Sequence, residues 1–256
     1  MKIQPPPLLI PESNISFLEI SDLEFLSNFV QYFNNNDFDN RYFSQFEWFK
    51  EELSGGESIA NLGCGKGRET FALMWKLEAT EAVGIDIDGA KIEFATRIAQ
   101  FRHWFSTSLV PSVRNRNQQA VKLLQEWYET LPIEIREGAT PQFYPGNISE
   151  GIEQPDNHFN LVYCRFTLWT IAGNDKDSLS SVCRNISRIL KPRVGRVVIV
   201  EPSKKESTYY DFGHCFREAG LRLDRVEEEK RRLGWLEPFK LETEPKDPKG
   251  FIFTKL

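Results

Sequence analysis

The sequence has few of the residues that staple a chain or ligate a metal. Its 256 residues include four cysteines and three histidines. Cys64, Cys164, Cys183 and Cys215 stand far apart, with no CxxC pair and no histidine at metal-ligand spacing. This excludes a zinc ribbon or a dithiol redox motif, and a chain this long needs no disulfide framework to hold its core. The thiols read as reduced, in a cytoplasmic protein, and no metal site is expected. Long apolar runs are also missing; none approaches the roughly 20 residues of a membrane span. Met1–Ile10 carries one lysine and three prolines before a very short apolar patch, which does not read as a signal peptide. Positive charge is in deficit, with 32 Lys and Arg against 37 Asp and Glu. Nucleic-acid backbones are bound by clustered cations, so no nucleic-acid partner is expected. Arg193 with Arg196, and Lys230 with Arg231 and Arg232, read as solvated surface charge.

What is present is an ordinary globular composition, 40% hydrophobic and 27% charged. Residues 1–17 are proline-rich, and Pro5, Pro6 and Pro7 forbid helix there. Two helices follow. The first is capped by Ser21 and Asp22 and carries Leu23, Leu26, Val30 and Phe33 on one face. The second, about Asp39–Leu53, is rich in aromatics and ends at Ser54-Gly55-Gly56. Residues 1–55 therefore read as an arm and helical cover.

From residue 56 short apolar runs alternate with amphipathic stretches, the pattern of a mostly parallel sheet covered by helices. Strands are expected at Ser58–Leu62, Ala82–Ile85, Phe159–Cys164 and Arg196–Val200. The intervening helices are expected at about Arg68–Leu77, Gly89–Phe105 and Asp177–Leu190. A last helix, about Thr208–Ala219, stops at Gly220. Leu221–Val226 and Gly250–Thr254 read as two final strands, an antiparallel pair at the sheet edge. A stretch at about 100–140, with Val121, Leu124, Trp127 and Tyr128 on one helical face, reads as an insertion after the second strand.

The informative segment is Ile59-Ala60-Asn61-Leu62-Gly63-Cys64-Gly65-Lys66-Gly67. An apolar strand runs into a glycine-rich turn, and a helix begins just after it. Gly63 and Gly65 remove Cβ atoms where the backbone turns and approaches a ligand. Gly67 lets the helix start close to the strand, and the loop amides face the ligand. A lone glycine triplet is weak evidence. Here Ala82-Val83-Gly84-Ile85-Asp86 follows by about 20 residues, a strand ending in an acid placed to accept from a ribose cis-diol. The GxGxG spacing lacks the extra residue of a dinucleotide cradle, and no GKS or GKT marks a P-loop. Asp88 reads as a helix N-cap rather than a second ribose ligand.

These residues resemble the class I S-adenosylmethionine-dependent methyltransferases. The likeness continues in Asp156-Asn157-His158-Phe159-Asn160-Leu161-Val162-Tyr163-Cys164, similar to that family's fourth-strand motif. It continues again in Ile189-Leu190-Lys191-Pro192 with Gly195–Pro202, similar to its helix, turn and fifth strand. The resemblance covers about residues 56–256 apart from the insertion. It implies an α/β, doubly wound, mostly parallel seven-stranded sheet, the Rossmann-like methyltransferase fold. It also implies S-adenosylmethionine as cofactor, with S-adenosylhomocysteine as product. Carried over, Asn61, Gly63, Cys64, Gly65 and Gly67 line the methionine part, Asp86 holds the ribose, and Ile87 flanks the adenine. Asn147 and Ile148 contact the adenine amino group, and Cys164 and Arg165 sit near the sulfonium and methionine tail. Asn61, Asn147 and Asn160 stand where the family usually has acids; an amide keeps an acceptor and loses the charge.

Ligands of this fold bind beyond the carboxyl ends of the strands. Phe166 and Trp169, after the fourth strand, with Tyr42 and Phe46 from the cover, are the candidate substrate contacts, and aromatics there exclude water and attract cations. The chemistry implied is in-line transfer of a methyl group to a N, O or C atom of a small-molecule acceptor. The cofactor is already activated, so proximity and orientation are the main contributions of the protein. His103 and Glu201 are the candidate general bases if the nucleophile carries a proton. His158 and His214 are weaker candidates. No acid-Pro-Pro-aromatic tetrapeptide follows the fourth strand, where Cys164-Arg165-Phe166-Thr167 stands, so DNA and protein acceptors are less favoured. A monomer or homodimer is expected. The alternatives are a cofactor-binding partner or regulatory protein without turnover, suggested by the three asparagines, and a nicotinamide dehydrogenase, disfavoured by the loop spacing.

Overall fold

In the structure, a computed structural model, strands form at all six expected runs, and a seventh forms at Gln142–Pro145. β1 (Ser58–Leu62), β2 (Glu81–Asp86), β3 (Gln142–Pro145) and β4 (Leu161–Arg165) are joined by β5 (Arg196–Ser203), β6 (Leu221–Glu227) and β7 (Asp247–Lys255). The described residues are 46–53, 56–106, 140–172, 176–203, 206–227 and 247–256. They give six helices: α1 (Glu47–Lys50), α2 (Arg68–Lys76), α3 (Gly89–Ser106), α4 (Leu168–Ala172), α5 (Lys176–Ile189) and α6 (Glu206–Glu218).

The sheet order is β3-β2-β1-β4-β5-β7-β6. β3, β2, β1, β4 and β5 pair in parallel, and β7 pairs antiparallel with both β5 and β6. β1 is buried along its whole length, as is expected of a central strand covered on both faces. The core joins β-branched and aromatic residues of the strands, such as Val162, Val197 and Phe253, to Leu179, Ile186 and Phe216 of the helices.

The two final strands form the expected antiparallel pair at the sheet edge, with β7 lying between β5 and β6. One compact unit comprises 36–100 with 138–256, and the other 1–35 with 101–137. Residues 46–49 join the sheet unit because Phe46 and Phe49 are fully buried, both against the Tyr163 ring. Apart from the end of α3, the other unit lies outside the described residues, and so do the first expected helix and the helix expected in the insertion.

The order reverses between β1 and β4, so their connections leave on opposite sides. In a doubly wound sheet the ligand crevice opens at this point, beyond the carboxyl ends of the strands. The register sets those ends level: Leu62 lies beside Ile85 and Cys164, and Asp86 beside Pro145. At the opposite end Asn160 holds the strands together, its amide oxygen accepting from Ser58 N (3.2 Å), Ser58 Oγ (3.1 Å) and Lys191 Nζ (2.8 Å).

Candidate active site

The site is built on the turn after β1. Gly63 and Cys64 both donate backbone N–H bonds to the Ile85 carbonyl, at 2.7 and 3.1 Å, which ties the turn to the end of β2. Gly63 (φ +72°) and Gly65 (φ +54°) have left-handed conformations that side chains rarely adopt. Their surroundings differ. A Cβ on Gly63 would collide with the Thr167 side chain, whereas a Cβ on Gly65 would meet nothing within 4 Å. Gly65 therefore presents bare backbone to open space.

Asp86, at the end of β2, completes the turn. Its Oδ2 accepts from Gly65 N at 2.7 Å and its Oδ1 from Asp88 N at 2.9 Å. Two backbone amides orient the carboxylate, and each oxygen keeps a further acceptor site. Asp88 caps α3, accepting from Ala90 N and Lys91 N at 3.1 and 3.2 Å. Hydrogen bonds from Lys91 hold the Asp88 carboxyl below its usual range.

Gly63, Gly65, Asp86, Ile87, Asn147, Ile148, Arg165 and Phe166 all line one cavity of 530 Å³ at these strand ends. Eight of the residues singled out from the sequence are thus brought together. Ile87 is exposed and Ile148 buried, an apolar pair from the turns after β2 and β3. The Asn147 side chain is engaged locally: Nδ2 donates to Glu150 Oε1 (2.8 Å), and Oδ1 accepts from Ser149 N (3.1 Å). Arg165 pairs with Glu69, and its guanidinium carbon stands 4.6 Å from the centre of the Phe166 ring.

Other candidates lie outside the cavity wall. Asn61 is buried beneath the turn, with Nδ2 donating to Thr70 Oγ1 at 2.9 Å. Cys64 is buried too, and its Sγ would stand 2.9 Å from a Cβ on Gly84. Burial, then the negative charge of Asp86, pushes its thiol pKa up. Cys164 is fully buried in the core, and burial followed by the Glu201 charge raises its pKa as well. A Cβ on Gly67 would come within 2.6 Å of the Phe143 ring, so this glycine packs against an aromatic rather than lining the cavity. Two placements change with the structure. Phe46 is a core residue packed on Tyr163, because its ring is fully buried, and it is not a cavity wall. Glu201 is 1% exposed and bonded to main-chain amides, not open to the cavity as a general base must be. Tyr42 and the side chains of His103 and Trp169 lie outside the described residues. His158 bonds Glu81 at 2.7 Å, at the start of β2 and away from the cavity, and His214 pairs with Glu218 on α6 at 3.2 Å.

Sequence reasoning missed Thr167, Thr170, Ile171 and Ser178, which also line the cavity. Thr167 was findable, since it directly follows Phe166 beyond a strand end. Thr170 and Ile171 ride on α4, a five-residue helix too short to show a periodicity. A second cavity, of 700 Å³, lies beyond the end of β3 and shares Gly146 and Asn147, but the glycine turn takes no part in it. Among the described residues no cluster of acids, histidines and cysteines could hold a metal. No described helix is long and apolar enough to cross a membrane.

The fold is shared widely. A TehB-like SAM-dependent methyltransferase from Corynebacterium glutamicum is similar over 91% of this chain and 99% of its own, with 20% identity and a TM-score of 0.54. Geranyl diphosphate C-methyltransferase from Streptomyces coelicolor, solved with Mg2+, geranyl diphosphate and S-adenosyl-L-homocysteine, is similar over 83% of this chain and 77% of its own, with 12% identity and a TM-score of 0.55. A structure of the Haloferax volcanii Trm112 methyltransferase activator with a methyltransferase is similar over 90% of this chain and 97% of the matched one, with 13% identity and a TM-score of 0.53. No protein of curated function matches in sequence. The methyltransferase domain family matches residues 60–199, which run from β1 into β5 and include the glycine turn, Asp86 and the β4 turn. The chain therefore belongs to that family and is an S-adenosylmethionine-dependent methyltransferase with the Rossmann-like fold.

Proposed function

We propose that this methyltransferase modifies a N, O or C atom of a small-molecule acceptor bound in the 530 Å³ cavity. The observation that carries the reading is the Gly65–Asp86 bond beside the open face of Gly65. Bare backbone and an oriented carboxylate then meet at one cavity, and a nucleoside needs both.

The residues present fit the cofactor. The two acceptor sites left on Asp86 suit the two hydroxyls of a ribose. Ile87 and Ile148 supply apolar walls for a base, and the open space at Gly65 lets a ligand come against the main chain. When bound, S-adenosylmethionine supplies a methyl group already activated on a sulfonium. The protein supplies orientation and a partly dry wall. Phe166 presents a ring at the cavity, with Arg165 stacked on it, and Thr170 and Ser178 offer hydroxyls for an acceptor's polar groups.

A cavity of this volume is of the size that holds small ligands, and the acidic net charge argues against a nucleic-acid acceptor. The test is calorimetry with S-adenosylmethionine and S-adenosylhomocysteine, followed by turnover against panels of phenols, amines and activated carbon acids. Binding with methylation of one panel class supports the reading. Tight binding with no product on any panel, and methylation of a protein or RNA instead, overturns the small-molecule acceptor.

A further inference from the structure

The turn that leaves β4 is held in an unusual way. Phe166 has φ +55°, a conformation that bulky side chains rarely adopt. Next to it, the Thr167 side chain fills the space that a Cβ on Gly63 would take. The Thr167 hydroxyl lies 3.2 Å from the Leu62 carbonyl, at the end of β1, and 3.0 Å from that of Arg165. The β4 turn is thus pressed against the glycine turn, and both face the cavity.

Three successive amides of the β4 turn are fixed from one place, the end of β5. Phe166 N donates to the Val200 carbonyl at 2.9 Å. Thr167 N and Leu168 N donate to one oxygen, Oε1 of Glu201, at 2.9 and 2.7 Å. The register makes this possible: Arg165 pairs with Val200, so Glu201 stands beside the turn. A buried carboxylate needs such donors to offset its lost hydration, and bonds to a charged acceptor are the stronger kind. A general base, by contrast, must reach the proton it removes. Glu201 takes no part in the cavity wall.

We propose that Glu201 is a positioning residue, which holds Phe166 and Thr167 against the glycine turn and so sets the wall between the cofactor and acceptor ends of the cavity. The inference rests on the cofactor reading above. It makes the oxygen Oε1 the working atom, and a glutamine keeps an accepting oxygen at that position while losing the ability to take up a proton.

The experiment compares wild type, Glu201→Gln, Glu201→Ala and Thr167→Val by calorimetry with S-adenosylhomocysteine, with thermal unfolding and amide hydrogen exchange alongside. Loss of both bonds in Glu201→Ala should weaken binding about tenfold and speed exchange at Thr167 and Leu168. Glu201→Gln should restore affinity to within about twofold and keep both amides protected. Thr167→Val keeps the shape and loses the hydroxyl; it should weaken binding about threefold, and if Glu201→Ala does not fold, Glu201→Gln carries the test, with about a tenfold loss of affinity in it overturning the inference. A purely structural prop would lower the melting temperature and leave the affinity of the folded protein unchanged. The inference is overturned if Glu201→Gln is as weak as Glu201→Ala, or if the alanine and valine variants bind like wild type. Failure of the cofactor reading looks different: the wild-type protein itself then does not bind S-adenosylhomocysteine, and the inference falls with it.

Discussion

The Gly65 amide donates to Asp86 at 2.7 Å, so the glycine turn after β1 and the acid ending β2 form one unit. Removing the acid should both free the turn and delete the ribose acceptors. Asp86→Ala is expected to weaken S-adenosylhomocysteine binding by about 1–3 kcal/mol. Asp86→Asn, which keeps one acceptor, should fall between. Calorimetry reads both, and wild-type affinity in the alanine variant would remove Asp86 from the ribose site.

Gly63 and Gly65 should separate stability from binding. Gly63→Ala places a methyl group against Thr167 at a left-handed φ, so the folded protein should lose about 2–5 kcal/mol, the backbone cost plus overpacking. Gly65→Ala meets no atom, so it should cost only the backbone term of about 1–2 kcal/mol. Its methyl group, however, points where a cofactor comes against the chain. Urea unfolding of both variants, with calorimetry on Gly65→Ala, checks this; a well-bound cofactor in Gly65→Ala would show that the turn faces elsewhere.

The buried thiols predict a pH dependence. Burial raises the pKa of Cys64, Cys164 and Cys183 in the folded protein. A group raised on folding contributes its full stability below the unfolded pKa, about 8.5 for cysteine, and loses it as pH rises toward the folded value. The melting temperature should therefore hold level through neutral pH and fall above about pH 9. Iodoacetamide should label these three residues only after denaturant is added. Fast labelling of Cys64 in the native protein would contradict its burial.

Phe166→Gly tests the strained turn from the other side. Relief of a left-handed side chain gains about 1 kcal/mol, and the extra freedom of glycine in the unfolded chain costs a similar amount. The melting temperature should stay near wild type while turnover falls, since the ring and its Arg165 stack are gone. A large loss of stability would mean that the ring is a core group, in spite of its 37% exposure.

The β1 turn and Asp86 were legible in the sequence because their signals are local: an apolar run, glycines at fixed spacing, then a second run ending in an acid. Four of the five parallel strands were legible for the same reason; β3, with one buried residue, was not. The final antiparallel pair was legible too, but which of its strands stands beside β5 is decided only by the sheet. Phe143 was invisible as a determinant. Its ring fills the space left by Gly67 and Gly84, a fit among three segments that no single window contains. Phe46 looked like cover because aromatics near a cofactor site and aromatics in a core have the same composition. Asn160 stands where the family usually has an acid, and the donors on its oxygen explain why an amide suffices there.

The late strand between β5 and β6 has a consequence during synthesis. Until residues 247–255 leave the ribosome, the outer edge of β5 has no partner, and its run Val197-Val198-Ile199-Val200 stands as an open apolar template. Such an edge invites pairing with other chains. In the folded protein β7 covers that edge, and so removes a surface on which other chains could pair.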